Sequence, residues 1–151
     1  MLFRSFRRAI ALKPDSPDWQ HLLAALTGDS SPTTTPASYV RSLFDSYAGE
    51  FDAHLVDTLG YRVPELLLAA VLALAPQRKL DILDLGCGTG LCGVHFRPHA
   101  QRLTGVDLSQ PMLAKAAARG IYDSLVSADA AEFLHADNVP FDLVLAADVF
   151  V

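Results

Sequence analysis

The sequence predicts an α/β fold: a doubly wound parallel sheet, of which it supplies the first four strands, behind an α-helical N-terminal extension. Three observations carry that expectation. From Leu80 onward, short apolar runs alternate strictly with segments of helical spacing, the order produced by a parallel sheet with right-handed crossovers. The first run, LDILDL, leads into a turn containing Gly86, Gly88, Gly90 and Gly93. The second, RLTGVDL, carries an acid, Asp107, near its end, about 20 residues beyond the glycines.

The elements follow in order. Residues 1–27 form a helical segment: two helices flank the turn KPDSPD, with Ile10, Leu12, Trp19, Leu22, Leu23 and Leu26 as apolar positions. Residues 28–36 read as a linker, being rich in glycine, serine, threonine and proline without periodic apolar positions. Residues 37–79 form a helical entry region. Within it Tyr39, Leu43, Tyr47, Phe51, Leu55 and Leu59 recur every four residues, with Val40 and Phe44 beside them, which predicts one helix ended by Gly60. A second helix, VPELLLAAVLALAP, runs from the Pro64 region to Pro76. Its apolar run is well short of the roughly 20 residues a membrane span needs.

Residues 80–151 form the half-sheet. LDILDL is a strand and GLCGVHFRPHA a short helix cut by Pro98. RLTGVDL is a strand, followed by SQPMLAKAAARG, a helix with Ser109 as cap, Pro111 in its first turn and Gly120 as stop. YDSLVSAD is a third strand, AAEFLHA a short helix, and FDLVLAADVFV a fourth strand running to the end of the chain.

Composition narrows the function. With 151 residues, 51% of them hydrophobic, the chain can bury a real core. A net charge of -5 argues against general nucleic-acid binding, which depends on cationic patches. Cys87 and Cys92 both fall in the glycine stretch with no second pair to complete a zinc site, and they fit a reducing cytoplasm as small apolar packing residues. His95 and His99 have the spacing of a metal pair, but Pro98 interrupts their helix and no third ligand is evident, so no metal is expected. The basic start, MLFRSFRRAIAL, lacks a signal-peptide core and leaves a transit peptide as the alternative to an ordinary helix.

In open α/β sheets ligands bind beyond the carboxyl ends of the strands, where the strand order reverses. Gly86, Gly88 and Gly90 allow a tight turn there, and Asp107 is placed to accept from ribose hydroxyls, so a nucleoside-containing ligand is expected. Gly88-x-Gly90-x-x-Gly93 also matches the dinucleotide fingerprint. Asp84 points away from that match, because a carboxylate at the tip of the first strand repels a pyrophosphate. S-adenosyl-L-methionine carries an ammonium and a sulfonium that suit Asp84, and a carboxylate that suits backbone amides.

ILDLGCGTG, LTGVDLS, SADAAEFL and FDLVLAADVFV resemble, in order and spacing, successive motifs of class I S-adenosylmethionine-dependent methyltransferases, whose fold is Rossmann-like. The resemblance implies that Asp84, Gly86, Cys87, Gly88 and Gly90 surround the methionine part of the donor. It implies that Asp107 binds the ribose, that Leu108 and Met112 flank the adenine, and that Asp129 and the Ala130 amide meet its amino edge. Asp148 falls where acceptor and donor methyl meet, and is the candidate base. Each acid has a structural counterpart reading as a strand-end cap. Tyr39, Phe44 and Tyr47 read either as a lid over the donor or as core.

The family sheet has seven strands and this sequence supplies four, so a fragment is expected. RAIALKPDSPDWQHLLAAL resembles adjoining tetratricopeptide repeats, as found in some bacterial methyltransferases, and implies a protein partner; a small packed helical extension is the other reading. The acceptor is expected to be a small molecule. The alternatives are a non-catalytic module that binds a nucleoside or protein, and an NAD-dependent oxidoreductase.

Overall fold

The computed structural model describes residues 2–27, 35–74, 78–136 and 140–149. The chain divides into two compact units, residues 1–43 and 44–151. In the first, α1 (Leu2–Leu12) and α2 (Pro17–Thr27) pack as a helical hairpin. Its turn is closed by backbone bonds from Lys13 N to Ile10 O (3.1 Å) and Ser16 N to Lys13 O (3.2 Å), and by Gln20 Nε2 donating to Pro14 O (2.7 Å). Ser38 Oγ donates to Asp18 (2.7 Å), and the His21 and Tyr39 rings meet at 5.7 Å. Most of the expected linker, residues 28–34, lies outside the described residues.

The boundary between the units falls within α3 (Ala37–Tyr47). The helix expected from Tyr39 to Leu59 is not continuous. It breaks at residues 48–50 and resumes in a segment that includes a π-helical turn, Ala53–Thr58, where Leu59 N bonds back to His54 O. Gly49 has open space where a Cβ would be, and Ala48 is buried at the corner. The four-residue spacing survives as an aromatic cluster across the break: Phe51 meets Phe44 at 6.2 Å and Tyr47 at 5.3 Å, both edge-on. Periodicity registered the shared apolar face and could not register the corner. After it comes α4 (Val63–Leu74); Pro76 lies outside the described residues.

The sheet has the expected parallel strands, β1 (Leu80–Leu85), β2 (Ala100–Asp107), β3 (Ser124–Ser127) and β4 (Leu143–Leu145), in the order β3-β2-β1-β4. Between them lie α5 (Leu91–Phe96) with a 3-10 turn Arg97–His99, α6 (Gln110–Ala118) and α7 (Ala130–Ala136). Because side chains alternate along a strand, β1 supplies two cores. Leu80 and Ile82 pack with Phe96, Leu103 and Leu145 beneath α4 and α5, while Leu83 and Leu85 pack with Val106 and Phe133 on the α7 side. Asp84 has the parity of Ile82, so its carboxylate belongs to the first of these layers.

The fourth strand is much shorter than expected. It ends at Leu145, and the chain then bends through Ala146 to Asp148, whose φ of 54° is left-handed. Aspartate tolerates that conformation better than most side chains, because its short polar group can bond locally. The apolar residues after Leu145 predict a continuing strand, which the bend replaces. Phe150 and Val151 lie outside the described residues.

Candidate functional site

The chain reverses direction across the sheet between β1 and β4, which places the switch point at the end of β1. The turn there passes through Gly86 (φ 65°) and Gly88 (φ 53°), conformations that L side chains avoid. Gly86 also lies against the loop after β4: a Cβ on it would fall 2.5 Å from Val149 Cγ2. Cys87 N donates to Val106 O (3.0 Å) and Gly90 N to Cys87 O (2.9 Å), tying the turn to β2 and starting α5. Both cysteines are free, buried thiols; burial pushes Cys87 far up and Cys92 up to about 12.

Asp107, at the tip of β2, joins two loops. Its Oδ2 accepts from Gly88 N (2.8 Å) and its Oδ1 from Ser109 N (2.8 Å). Burial nevertheless raises its pKa, against the pull of those amides, and the Asp45 charge adds to the rise. Asp84 is 1% exposed. Burial, assisted by the Asp107 charge, lifts it to about 6, although a hydrogen bond from Tyr122 opposes the shift. Two acids at adjacent strand tips, both held above their ordinary values, suit a cationic guest and oppose a pyrophosphate.

Tyr122 is a site residue that no sequence pattern singles out. The pattern YDSLVSAD predicts it in the third strand, but it precedes β3, and its Oη donates to Asp84 Oδ2 (2.6 Å). Its ring fills space left by three glycines. A Cβ on Gly93 would lie 2.3 Å from Oη, one on Gly105 2.9 Å from Cε1, and one on Gly90 3.0 Å from Cε2. The available signal was Gly105, a glycine in the middle of a strand, which commonly marks close approach by another group.

A second group of missed residues comes from the lead-in segment 45–52. Asp45 Oδ1 accepts from Ser109 Oγ (2.5 Å), and Asp52 accepts from Thr89 Oγ1 (2.5 Å) and from Arg119 (2.6 Å). Lys115 Nζ donates to Gly49 O (3.0 Å), and Phe51 Cε1 lies 3.9 Å from the position of a Cβ on Gly88. This segment is therefore clipped to both glycine-turn and Asp107 loops.

The remaining predicted residues differ in placement. Leu108 is half-buried on the Asp107 loop, whereas Met112 is buried in the packing of α6. Ser109 caps α6 as expected, accepting from Met112 N (3.3 Å). Asp129 caps α7, its Oδ1 accepting from Ala131 N (2.8 Å) and Glu132 N (3.1 Å), with Ala130 half-buried beside it. Asp148 lies beyond the end of β4, exposed, beside the Tyr61 hydroxyl, whose pKa rises through burial first and the hydrogen bond with Asp148 second. Among the described residues no three His, Cys, Asp or Glu side chains group as a metal set, and no helix is long and apolar enough to cross a membrane.

Comparison with known proteins agrees with this geometry. Residues 82–151 match the family described as "Methyltransferase domain". Their parallel sheet has the fold of a methyltransferase of known structure. Solved structures that resemble it are described with SAM or SAH bound. The chain is 34% identical, over 104 residues, to malonyl-[acyl-carrier protein] O-methyltransferase of Pseudescherichia vulneris, a match that covers 69% of this chain and 39% of that relative. A structure described as a DhpI-SAM-HEP complex superimposes with a TM-score of 0.53 at 28% identity, over 68% of this chain and 46% of that one. Magnesium protoporphyrin IX methyltransferase from Synechocystis PCC 6803, with bound SAM, gives a TM-score of 0.62 at 18% identity, over 79% and 65%, and shows the shared fold. The chain thus spans well under half the length of the curated relative it matches.

Proposed function

We infer that the protein binds S-adenosyl-L-methionine and transfers its methyl group to a small-molecule acceptor. The observation that carries this reading is the pair formed by buried Asp84 and half-buried Asp107 at adjacent strand tips, on either side of a left-handed glycine turn. In this reading Asp84 faces the donor's cationic end, and Asp107 accepts from the ribose hydroxyls while the Gly88 and Ser109 amides hold it in place. Gly86, Cys87, Gly88 and Gly90 line the methionine part. Half-buried Leu108 covers the adenine, with buried Met112 supporting it from α6. Asp129 and the Ala130 amide meet the adenine amino edge while Asp129 also caps its helix.

The bound donor supplies a methyl group activated by a positively charged sulfur. An anionic acceptor then requires mainly alignment, and orientation alone can supply several kcal/mol of barrier lowering. For a hydroxyl or amine acceptor, exposed Asp148 is the candidate base. The relative that acts on malonyl-[acyl-carrier protein] makes a carboxylate on an acyl carrier a second acceptor class to assay. The α1–α2 hairpin, read as a tetratricopeptide-like unit, is the candidate protein-binding element. The two free thiols suit a cytoplasmic setting.

Calorimetric titration with S-adenosylhomocysteine, run beside NADH on a sample shown to be folded, tests the reading. Binding of S-adenosylhomocysteine alone is expected. Binding of NADH alone would assign the site to an oxidoreductase, and binding of neither would favour a non-catalytic module.

A further inference from the structure

Tyr122 is a half-buried side chain at the switch point, hydrogen-bonded to buried Asp84, to which the donor-binding reading gives no role. Its position is unusually determined. Gly90 at the start of α5, Gly93 within α5 and Gly105 in the middle of β2 come from separate places in the chain, and each would bring a Cβ to within 3.0 Å or less of the Tyr122 side chain. Gly93 is the sharpest case, since a Cβ there would fall 2.3 Å from the hydroxyl oxygen and 2.5 Å from Cζ. The ring therefore has one seat, and from that seat its hydroxyl reaches Asp84 Oδ2 at 2.6 Å. An ionised carboxylate has about four acceptor positions, so this bond orients Asp84 and leaves it able to receive a cation.

We propose that Tyr122 is a positioning residue for the methyl donor: seated by Gly90, Gly93 and Gly105, its hydroxyl holds the Asp84 carboxylate in the ionised, oriented form that receives the donor's cationic end. The proposal rests on the donor-binding reading of this site. The surroundings of Asp84 make such a device necessary. The groups that face it are Asp107 from β2, Cys87 from the turn, Cys92 from α5 and Tyr61 from the approach to α4, with Asp148 next to Tyr61. Burial and the Asp107 charge hold Asp84 near 6, and the Tyr122 bond is what favours its ionised form.

The test is calorimetric titration with S-adenosylmethionine and S-adenosylhomocysteine from pH 5 to 8.5, for the whole chain and for Tyr122→Phe. Affinity of the unaltered chain should rise with pH as Asp84 ionises around 6 and then level off. A hydrogen bond to a charged group is equivalent to about one to two pH units, so Tyr122→Phe should displace the rise upward by that much. Affinity at pH 6 then falls about 5- to 50-fold, while the two proteins converge near pH 8.5. A loss that is uniform across pH would mark a purely structural role and overturn the proposal, as would coincident profiles. Failure of the unaltered chain to bind either molecule would instead sink the donor-binding reading beneath it. Should Tyr122→Phe not fold, carbon NMR of labelled tyrosine in the unaltered chain carries the same test. The Tyr122 Cζ signal should titrate with the midpoint seen in donor affinity, and a flat signal would refute the proposal.

Discussion

Replacing Asp84 with asparagine should make the protein more stable while weakening its hold on the donor. The ordinary aspartate value is 3.8, and Asp84 stands at about 6 in the fold, chiefly through burial. An acid raised in this way binds more protons folded than unfolded between those two values, so its contribution is intact below about pH 4 and is lost as pH rises through 6. At about 1.36 kcal/mol per pH unit, the penalty of holding it ionised at neutral pH is about 3 kcal/mol. Asparagine has the same shape, still accepts from Tyr122 Oη, and is neutral throughout. Chemical denaturation of both proteins at pH 4 and pH 7.5 reads the effect: the advantage of Asp84→Asn should be small at pH 4 and grow to about 3 kcal/mol at pH 7.5, or roughly 6 to 12 °C in melting temperature. Donor affinity should fall in the same variant and lose its dependence on pH near 6. A variant less stable at pH 7.5, or offset equally at both pH values, would refute the account of Asp84 as a carboxylate strained by burial.

Three further outcomes are expected. Gly93→Ala gains about 1 kcal/mol in helix propensity but forces the Tyr122 hydroxyl to move from 2.3 Å, an overpacking cost of about 1 to 3 kcal/mol, so denaturant titration should show no gain or a net loss of up to about 2 kcal/mol. Asp107→Ala removes the acceptor of the Gly88 and Ser109 amides together with the proposed ribose contacts, and should lower S-adenosylhomocysteine affinity about tenfold or more by calorimetry. Ser109→Ala deletes both the cap of α6 and the donor to Asp45, and thermal melting should report a loss of about 1 to 2 kcal/mol.

The alternation of strands and helices was legible because each strand buries residues on a simple period and each helix is bounded by local signals such as Ser109, Pro111 and Gly120. Three features were not, and each has a physical reason. The corner at residues 48–50 lies within an apolar stripe whose spacing continues through it, since Phe44, Tyr47 and Phe51 pack together on both sides. The end of β4 at Leu145 is followed by residues apolar enough to continue a strand, and only the left-handed Asp148 reveals the bend. Around the site, Asp84, Asp107 and the glycines stood out because their types are unusual at strand tips. Tyr122, Asp45 and Asp52 did not, because their partners are 38, 64 and 37 residues away and no local pattern connects them.

The crowding around Tyr122 bears on what a glycine pattern means. The spelling Gly88-x-Gly90-x-x-Gly93 is commonly taken as the imprint of a phosphate cofactor, yet here its last member is shaped by an aromatic ring belonging to the protein itself. A pattern of this kind records excluded volume as well as backbone curvature, and unrelated demands can converge on one spelling. It follows that positions 93 and 122 should vary together: an alanine at 93 becomes admissible only where the side chain at 122 is smaller, and a chain that made that exchange would lose the cofactor signature without losing the fold.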